Sequence, residues 1–418
     1  MNISRSLCLL CLAHNNSVVQ TVIAMGLCEI KKSYEEINAK IREGKAVVVT
    51  ADEMPGIVEQ EGVAGAFKKV DVVTTGTFGT MCSSGAFINF GHTKPRIKAS
   101  KVWLNNVEAY AGIAAVDCYI GAAQVQENDP LNMVRPGAFR YGGGHVIEDL
   151  IARRRIRLRA VGYGTDCYPL TEYERMITID DCRDAIMCNP RNAYQNYNCA
   201  VNCSSRTRYT YMGILKPSMA NATYSSAGQL SPLLNDPYCW TIGTGTRIFL
   251  CGAAGAVVWH GTQHNPSCQR SEDGLPMEGG ATVAVMGNMK DMDPAFVRGA
   301  SITGYGCSIM IGIGVPIPII NEDMAYFTGR SDRDLFCPVV DYGSDYPNAT
   351  GEAIGRVSYE ELKSGTINIK GTLIETAPLS SYPMARRIAA ILKQWIENGF
   401  TIGIPQIPLT CDHGGGST

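Results

Sequence analysis

Apolar residues recur along the chain in two rhythms, one set by helices and the other by buried strands. Ile37 and Ile41 stand four apart, preceded by Ser33 with Glu36 three places on and followed by Gly44. That is a capping box opening a short amphipathic helix, with a glycine to end it. Residues 46–50 and 70–75 are short β-branched runs, the pattern of strands covered on both faces. A second capping box, Ser358 with Glu361, predicts another helix stopping at Gly365 and then an alternating strand over 366–369. The longest helical stripe runs over 383–398, with Met384, Ile388, Ile391, Leu392 and Trp395 on one face and Gly399 as its stop. Residues 302–320 are apolar and punctuated by glycine, and Pro316 and Pro318 forbid a regular membrane helix there, so this stretch reads as core.

Between these runs lie glycine-rich segments. Residues 76–91 read GTFGTMCSSGAFINFG, a turn leading out of a strand, and residues 162–169 read GYGTDCYP. Each presents a cysteine. A turn-rich stretch over 128–144 separates them, and no low-complexity linker divides the chain. The fold class is therefore α/β, with mixed α+β left open: one compact multi-lobed unit of short buried strands and glycine-rich loops. Residues 1–28 read as an N-terminal tail, 29–400 as the working domain and 401–418 as a C-terminal tail. Within the first tail, Arg5 and the apolar residues 7–13 mimic a signal peptide but are too few to span a bilayer. Met25 lies just before the first helix, so residues 1–24 also read as an upstream start that the working protein does not need.

Charge changes the picture by exclusion. Lys and Arg total 37 against 39 Asp and Glu, a net charge of -2 that leaves no electrostatic footprint for nucleic acid or an acidic membrane. A small molecule is the expected partner. The one basic run, Arg153–Arg159, reads as a solvated helix end or strand face. Sixteen cysteines in a chain of 418 residues exceed what packing needs, yet a domain this large requires no disulfide framework. They read as reduced thiols in a cytoplasmic, anaerobic setting.

A cysteine in a glycine-rich turn lets the backbone approach a ligand closely, and clustered amides stabilise a thiolate. Cys82 and Cys167 fit that description, set against the alternative that each is a small buried hydrophobe. Cys118, in an apolar segment, is a reserve candidate. Cys199 with Cys203, and Cys8 with Cys11, are isolated pairs too few for a metal or iron–sulfur site. His260 and His264 have the spacing of a helical metal pair, but Gly261, Asn265 and Pro266 argue for a loop that supplies a general acid or substrate hydrogen bond instead. No metal site is expected. Gly243-Thr244-Gly245 and Gly312-Ile313-Gly314 begin dinucleotide fingerprints and do not continue them, so no cofactor is bound by a recognisable motif. Arg191 and Arg247 are candidate clamps for a substrate carboxylate, since guanidinium offers a bidentate fork.

Taken in order, GTFGTMCSSG at 76–85, residues 162–169, residues 189–198, SPLLNDP at 231–237 and WHGTQHNP at 259–266 resemble the homocysteine biosynthesis family, the aspartate semialdehyde sulfurtransferases, over about residues 30 to 395. The resemblance implies that sulfide-level sulfur and L-aspartate 4-semialdehyde become L-homocysteine with two electrons. It implies thiols as carriers: a persulfide's terminal sulfur is a good nucleophile toward an aldehyde carbon, and Cys82 and Cys167 are assigned as the sulfur-carrying and resolving pair. Electrons would come from a small ferredoxin-like iron–sulfur partner. The nucleotide-binding modules that some relatives append are not expected after residue 400. The rival reading is a noncatalytic sulfur carrier or iron–sulfur scaffold, which would expose its thiol on an open surface rather than in a cavity.

Overall fold

The computed structural model describes residues 31–409, apart from 193–197, 266, 272–273, 275–279, 345, 349–350 and 352. The N-terminal tail, Cys8, Cys11 and residues 410–418 lie outside the described residues. Mixed α and β elements form several sheets around a continuous core.

Helix Tyr34–Arg42 carries the expected capping box, and Ile37 and Ile41 are its buried residues. The strand Val48–Thr50 pairs in parallel with Val72–Thr74, which also takes Pro316–Pro318 on its other side. The proline pair therefore sits in a strand of its own. Ser358 and Glu361 cap Tyr359–Lys363 as anticipated, and Thr366–Ile369 follows as a strand. The long stripe becomes helix Tyr382–Glu397, which buries Ala385, Ile388, Ala389, Leu392 and Ile396.

The central architectural feature is a circuit of antiparallel strands. Strand Thr77–Thr80 pairs with Gly306–Gly314, and Gly306–Gly314 pairs with Arg247–Leu250. Pairing continues through Ala253–His260, Val283–Asn288 and Asp184–Asn192 to Gly85–Asn89. Because Gly85–Asn89 is joined to Thr77–Thr80 by only Met81–Ser84, the circuit closes on itself through that corner. The 76–91 segment is thus two strands and a four-residue corner rather than one long turn.

Its glycines make room for neighbours. A side chain on Gly76 would run into the Ala385 carbonyl of the long helix, one on Gly79 would crowd Ser380, and one on Gly85 would overlap Tyr119. The partial G-x-G at 312–314 has the same origin, since Gly312 and Gly314 both lie under Ile388. The other, at 243–245, pairs with Ile407–Pro408.

From Gly85–Asn89 the sheet extends through Asp117–Gly121, Val107–Ala114, Ala99–Leu104 and Ile156–Gly162 to an outer strand, Glu172–Ile177. The basic run lies on Ile156–Gly162 and just before it, where Arg157 pairs with Glu174 at 2.8 Å and Arg154 with Asp149 at 2.6 Å. It is a solvated strand face. A second sheet is ordered Ala353–Ser358, Phe336–Asp341, Cys199–Val201, Ala222–Tyr224, Thr372–Pro378, Thr366–Ile369. Residues 401–409, assigned to a tail from sequence, are packed: Asn38 exchanges hydrogen bonds with Ile402, and Leu409 is buried. No described helix is long and apolar enough to cross a membrane.

Candidate active site

A cavity of about 320 Å³ opens at the seam between the strand circuit and the second sheet. Thr77, Gly79, Thr80, Met81, Cys82 and Ser83 form one wall, and Ser225, Ser226, Ser231, Leu379 and Ser380 form the opposite one. The walls are joined directly, because Gly79 bridges Ser380 and Ser381 N–H donates to the Phe78 carbonyl. The lining is rich in hydroxyl groups, and Arg191 is the one guanidinium or ammonium among its described residues. Two lining residues, Ser226 and Gln263, hold φ of 84° and 66°, a conformation that non-glycine residues rarely adopt. Such backbone is retained where the surrounding structure dictates it, often at a functional site.

Cys82 stands half-buried at the corner between the first two strands of the circuit, as a free thiol. Its Sγ lies 2.8 Å from the hydroxyl of Ser308, a fully buried residue on Gly306–Gly314. The phenol of Tyr305, from the turn that precedes that strand, lines the same cavity and stands close enough to the sulfur for the two groups to interact. Burial and the sulfur push the Tyr305 phenol up to about 12, opposed by the Arg191 charge, so the phenol keeps its proton at neutral pH.

Arg191 reaches the cavity through an irregularity in its strand. Pairing of Asp184–Asn192 with Val283–Asn288 slips between Asn189 and Asn192, a bulge that re-aims the side chains next to it. The Arg191 guanidinium donates to Gln263. Asn189, with no solvent exposure, ties this bulge to the thiol corner: its Oδ1 accepts from Arg191 N at 2.8 Å and from Ser83 Oγ at 3.2 Å, and its Nδ2 donates to Ser84 Oγ at 2.9 Å. Thiol and guanidinium are thereby held by one amide. This answers why a free thiol and a guanidinium share a cavity although they stand more than a hundred residues apart.

The other sequence candidates are placed elsewhere. Cys167 is exposed on the hairpin between Ile156–Gly162 and Glu172–Ile177 and does not line the cavity. Four strand steps separate its sheet position from Gly85–Asn89, about 19 Å along the sheet at the usual strand spacing. The register also puts the two thiols at opposite ends of the strands, since Gly85 faces Gly121 while Cys167 lies beyond Gly162. That arrangement does not support the direct Cys82–Cys167 disulfide, which requires Cα atoms within about 7 Å. Arg247 stacks on Phe400 at 3.9 Å and donates through Nη1 to the Thr401 carbonyl and hydroxyl, both at 2.9 Å. It holds the 400–403 segment rather than a substrate.

His264 is bonded on both nitrogens: Nε2 lies 2.7 Å from the Leu409 carbonyl, and Nδ1 accepts from Thr282 N at 3.0 Å. Burial holds its pKa below the ordinary imidazole value. His260 ends the strand Ala253–His260 with its ring 6.0 Å from that of His264, outside the cavity. From the HGTQH loop it is Gln263 that faces the cavity. Cys118 and Cys199 are buried and Cys203 is exposed, and no group of three metal-ligating side chains occurs among the described residues.

Sequence reasoning passed over Asn189, Tyr305 and Ser308. The signal for Tyr305 was available in the flanking Gly304 and Gly306, which mark a hairpin turn inside a stretch read as continuous core. Nothing local marks Ser308, whose role depends on strand pairing.

Residues 46–402 match the family described as homocysteine biosynthesis enzyme, sulfur-incorporation. An L-aspartate semialdehyde sulfurtransferase of Methanosarcina acetivorans is 49% identical over 380 residues, 90% of this chain and 71% of that protein. A protein of the same name from Methanocaldococcus jannaschii is 49% identical over 383 residues, 88% of this chain and 71% of its own. An uncharacterised protein of Methanothermobacter thermautotrophicus is 27% identical over 81% of this chain and 73% of its own length. No solved structure matches. On the extent of these matches, this chain belongs to the homocysteine biosynthesis enzyme family that incorporates sulfur.

Proposed function

We infer that this protein is an L-aspartate semialdehyde sulfurtransferase that forms homocysteine, with Cys82 as the sulfur-bearing nucleophile and Arg191 as the anchor for the substrate's carboxylate. The observation that carries the assignment of residues is the shared cavity: a free thiol and a guanidinium line one space of about 320 Å³, ample for a four-carbon amino-acid aldehyde. Guanidinium binds carboxylate through two parallel hydrogen bonds, which fixes the orientation of the chain that leads to the aldehyde. Orientation of this kind removes much of the entropic cost of the attack.

Overall, the aldehyde, hydrogen sulfide, two electrons and two protons give the thiol and one water. The Cys82 thiolate attacks the carbonyl carbon, the adduct loses water, sulfide adds to the same carbon, the bond from that carbon to Cys82 breaks to give the thiocarbonyl and regenerate the thiolate, and the thiocarbonyl takes up two electrons and two protons. A small ferredoxin-like iron–sulfur protein is the proposed electron source. Cys167 has no assigned contact with the aldehyde; on its exposed hairpin it is accessible to a sulfur-donating partner.

The test is anaerobic turnover of aspartate semialdehyde with labelled sulfide and a low-potential reductant, following label into homocysteine. Cys82→Ala is expected to lose product, whereas Cys167→Ala retains it when sulfide is supplied free in solution. Full activity in Cys82→Ala would remove the assignment.

A further inference from the structure

The thiol of Cys82 is met by two hydroxyl groups from one hairpin, and the two are not equivalent. Ser308 approaches from the sealed interior, with no solvent exposure, and fixes the sulfur from behind. Tyr305 approaches from the cavity side and is 46% exposed, so it stands where substrate enters. We propose that Tyr305 is the catalytic acid of the sulfur-addition step, giving its phenolic proton to the aldehyde oxygen as the carbon–sulfur bond forms at Cys82. This rests on the sulfurtransferase reading and adds a residue that the reading does not name.

The geometry follows from the adduct. Once sulfur has bonded to the carbonyl carbon, sulfur and oxygen share that one carbon. A donor that lines the cavity beside the sulfur before attack therefore stands beside the oxygen once the bond has formed. The step balances: the sulfur lone pair makes the C–S bond, the carbonyl π pair moves to oxygen, and the oxygen takes the Tyr305 proton. The phenolate left behind recovers a proton from water, to which the half-exposed ring has access. A phenol that stays protonated at neutral pH is available for this transfer in every cycle. The positive charge of Arg191 favours the transient phenolate beside it.

The turn is built to hold this side chain in place. Gly304 and Gly306 adopt φ of 80° and 133°, and Tyr305 N–H donates to the Ile302 carbonyl at 2.9 Å. Gly304 N–H is also bonded to the Gly137 carbonyl at 2.8 Å, and a side chain on Gly304 would overlap Tyr209. Two other segments therefore clamp the turn, so the phenol is pre-oriented rather than drawn in by substrate.

Tyr305→Phe keeps the ring and removes only the hydroxyl. With labelled sulfide, reductant and aspartate semialdehyde, the variant is expected to lose about 100-fold in kcat with little change in KM, the usual worth of a positioned acid. Its melting temperature is expected to match the wild type, and iodoacetamide should alkylate Cys82 across pH 6–9 at a rate within about threefold of the wild type. Wild-type enzyme that makes no homocysteine sinks the sulfurtransferase reading and this inference together. Active wild type matched by Tyr305→Phe overturns only this inference. Equal losses in alkylation and turnover overturn it as well, because the phenol would then act solely by positioning the thiol.

Discussion

Asn189→Ala should uncouple the two halves of the site. The amide is buried without exposure and makes three hydrogen bonds, to Arg191 N, Ser83 Oγ and Ser84 Oγ. Truncation leaves Ser84 Oγ without that partner in the buried interior and frees Arg191 N and Ser83 Oγ at the cavity wall. At about 1 kcal/mol per lost buried partner, the low end of the usual penalty, the variant loses about 3 kcal/mol of stability. For a domain of this size that corresponds to a melting temperature lower by roughly 4 °C. Ser84→Ala removes one of the three bonds and should cost about 1 kcal/mol, which separates loss of the clamp from loss of any buried polar group.

Activity should fall more than stability suggests. With the thiol corner free to shift against the Arg191 bulge, displacement of about 1 Å reduces kcat/KM roughly 100-fold, measured below the melting transition. An Asn189→Ala enzyme with unchanged melting temperature and unchanged kcat/KM would refute the idea that this amide holds the site together.

Arg191→Gln should raise KM for aspartate semialdehyde about 10- to 100-fold with a smaller effect on kcat, since a charge-assisted bond to a carboxylate is worth about 1.5–3 kcal/mol; steady-state kinetics at saturating sulfide checks it. Arg247→Ala should lower the melting temperature and leave KM near that of the wild type, because its stacking on Phe400 and bonds to Thr401 are structural. His264 and His145 both have folded pKa values held below the ordinary imidazole value by burial. In each case the unfolded chain binds the proton more readily. Their contribution is therefore fully present above about pH 6.5 and is lost as pH falls from there through the depressed folded values. Chemical denaturation between pH 5 and 8 should show that decline, and His264→Gln should flatten part of it.

How far the sequence reaches can be judged residue by residue. Both capping boxes, at Ser33 and Ser358, and the stripe of helix Tyr382–Glu397 are determined by short-range hydrogen bonds and a 3.6-residue period, and each element forms where these signals lie. The importance of the Cys82 segment was visible because glycines cluster there. What those glycines do was not, since Gly76, Gly79 and Gly85 accommodate neighbours from distant parts of the chain.

The site itself was decided by pairing between distant strands. Ser308 meets Cys82 across 226 positions, and Asn189 meets Ser84 across 105, contacts that carry no local pattern. The same physics separated candidates that looked equivalent. Cys82 and Cys167 both follow glycines, but closure of the strand circuit turns one into a cavity wall while the other remains on an outer hairpin. Arg191 and Arg247 are both strand arginines, yet a bulge aims the first at the cavity and an aromatic ring captures the second. Local propensity specifies the element, and the burial of one element against another selects which of its side chains is left facing a ligand.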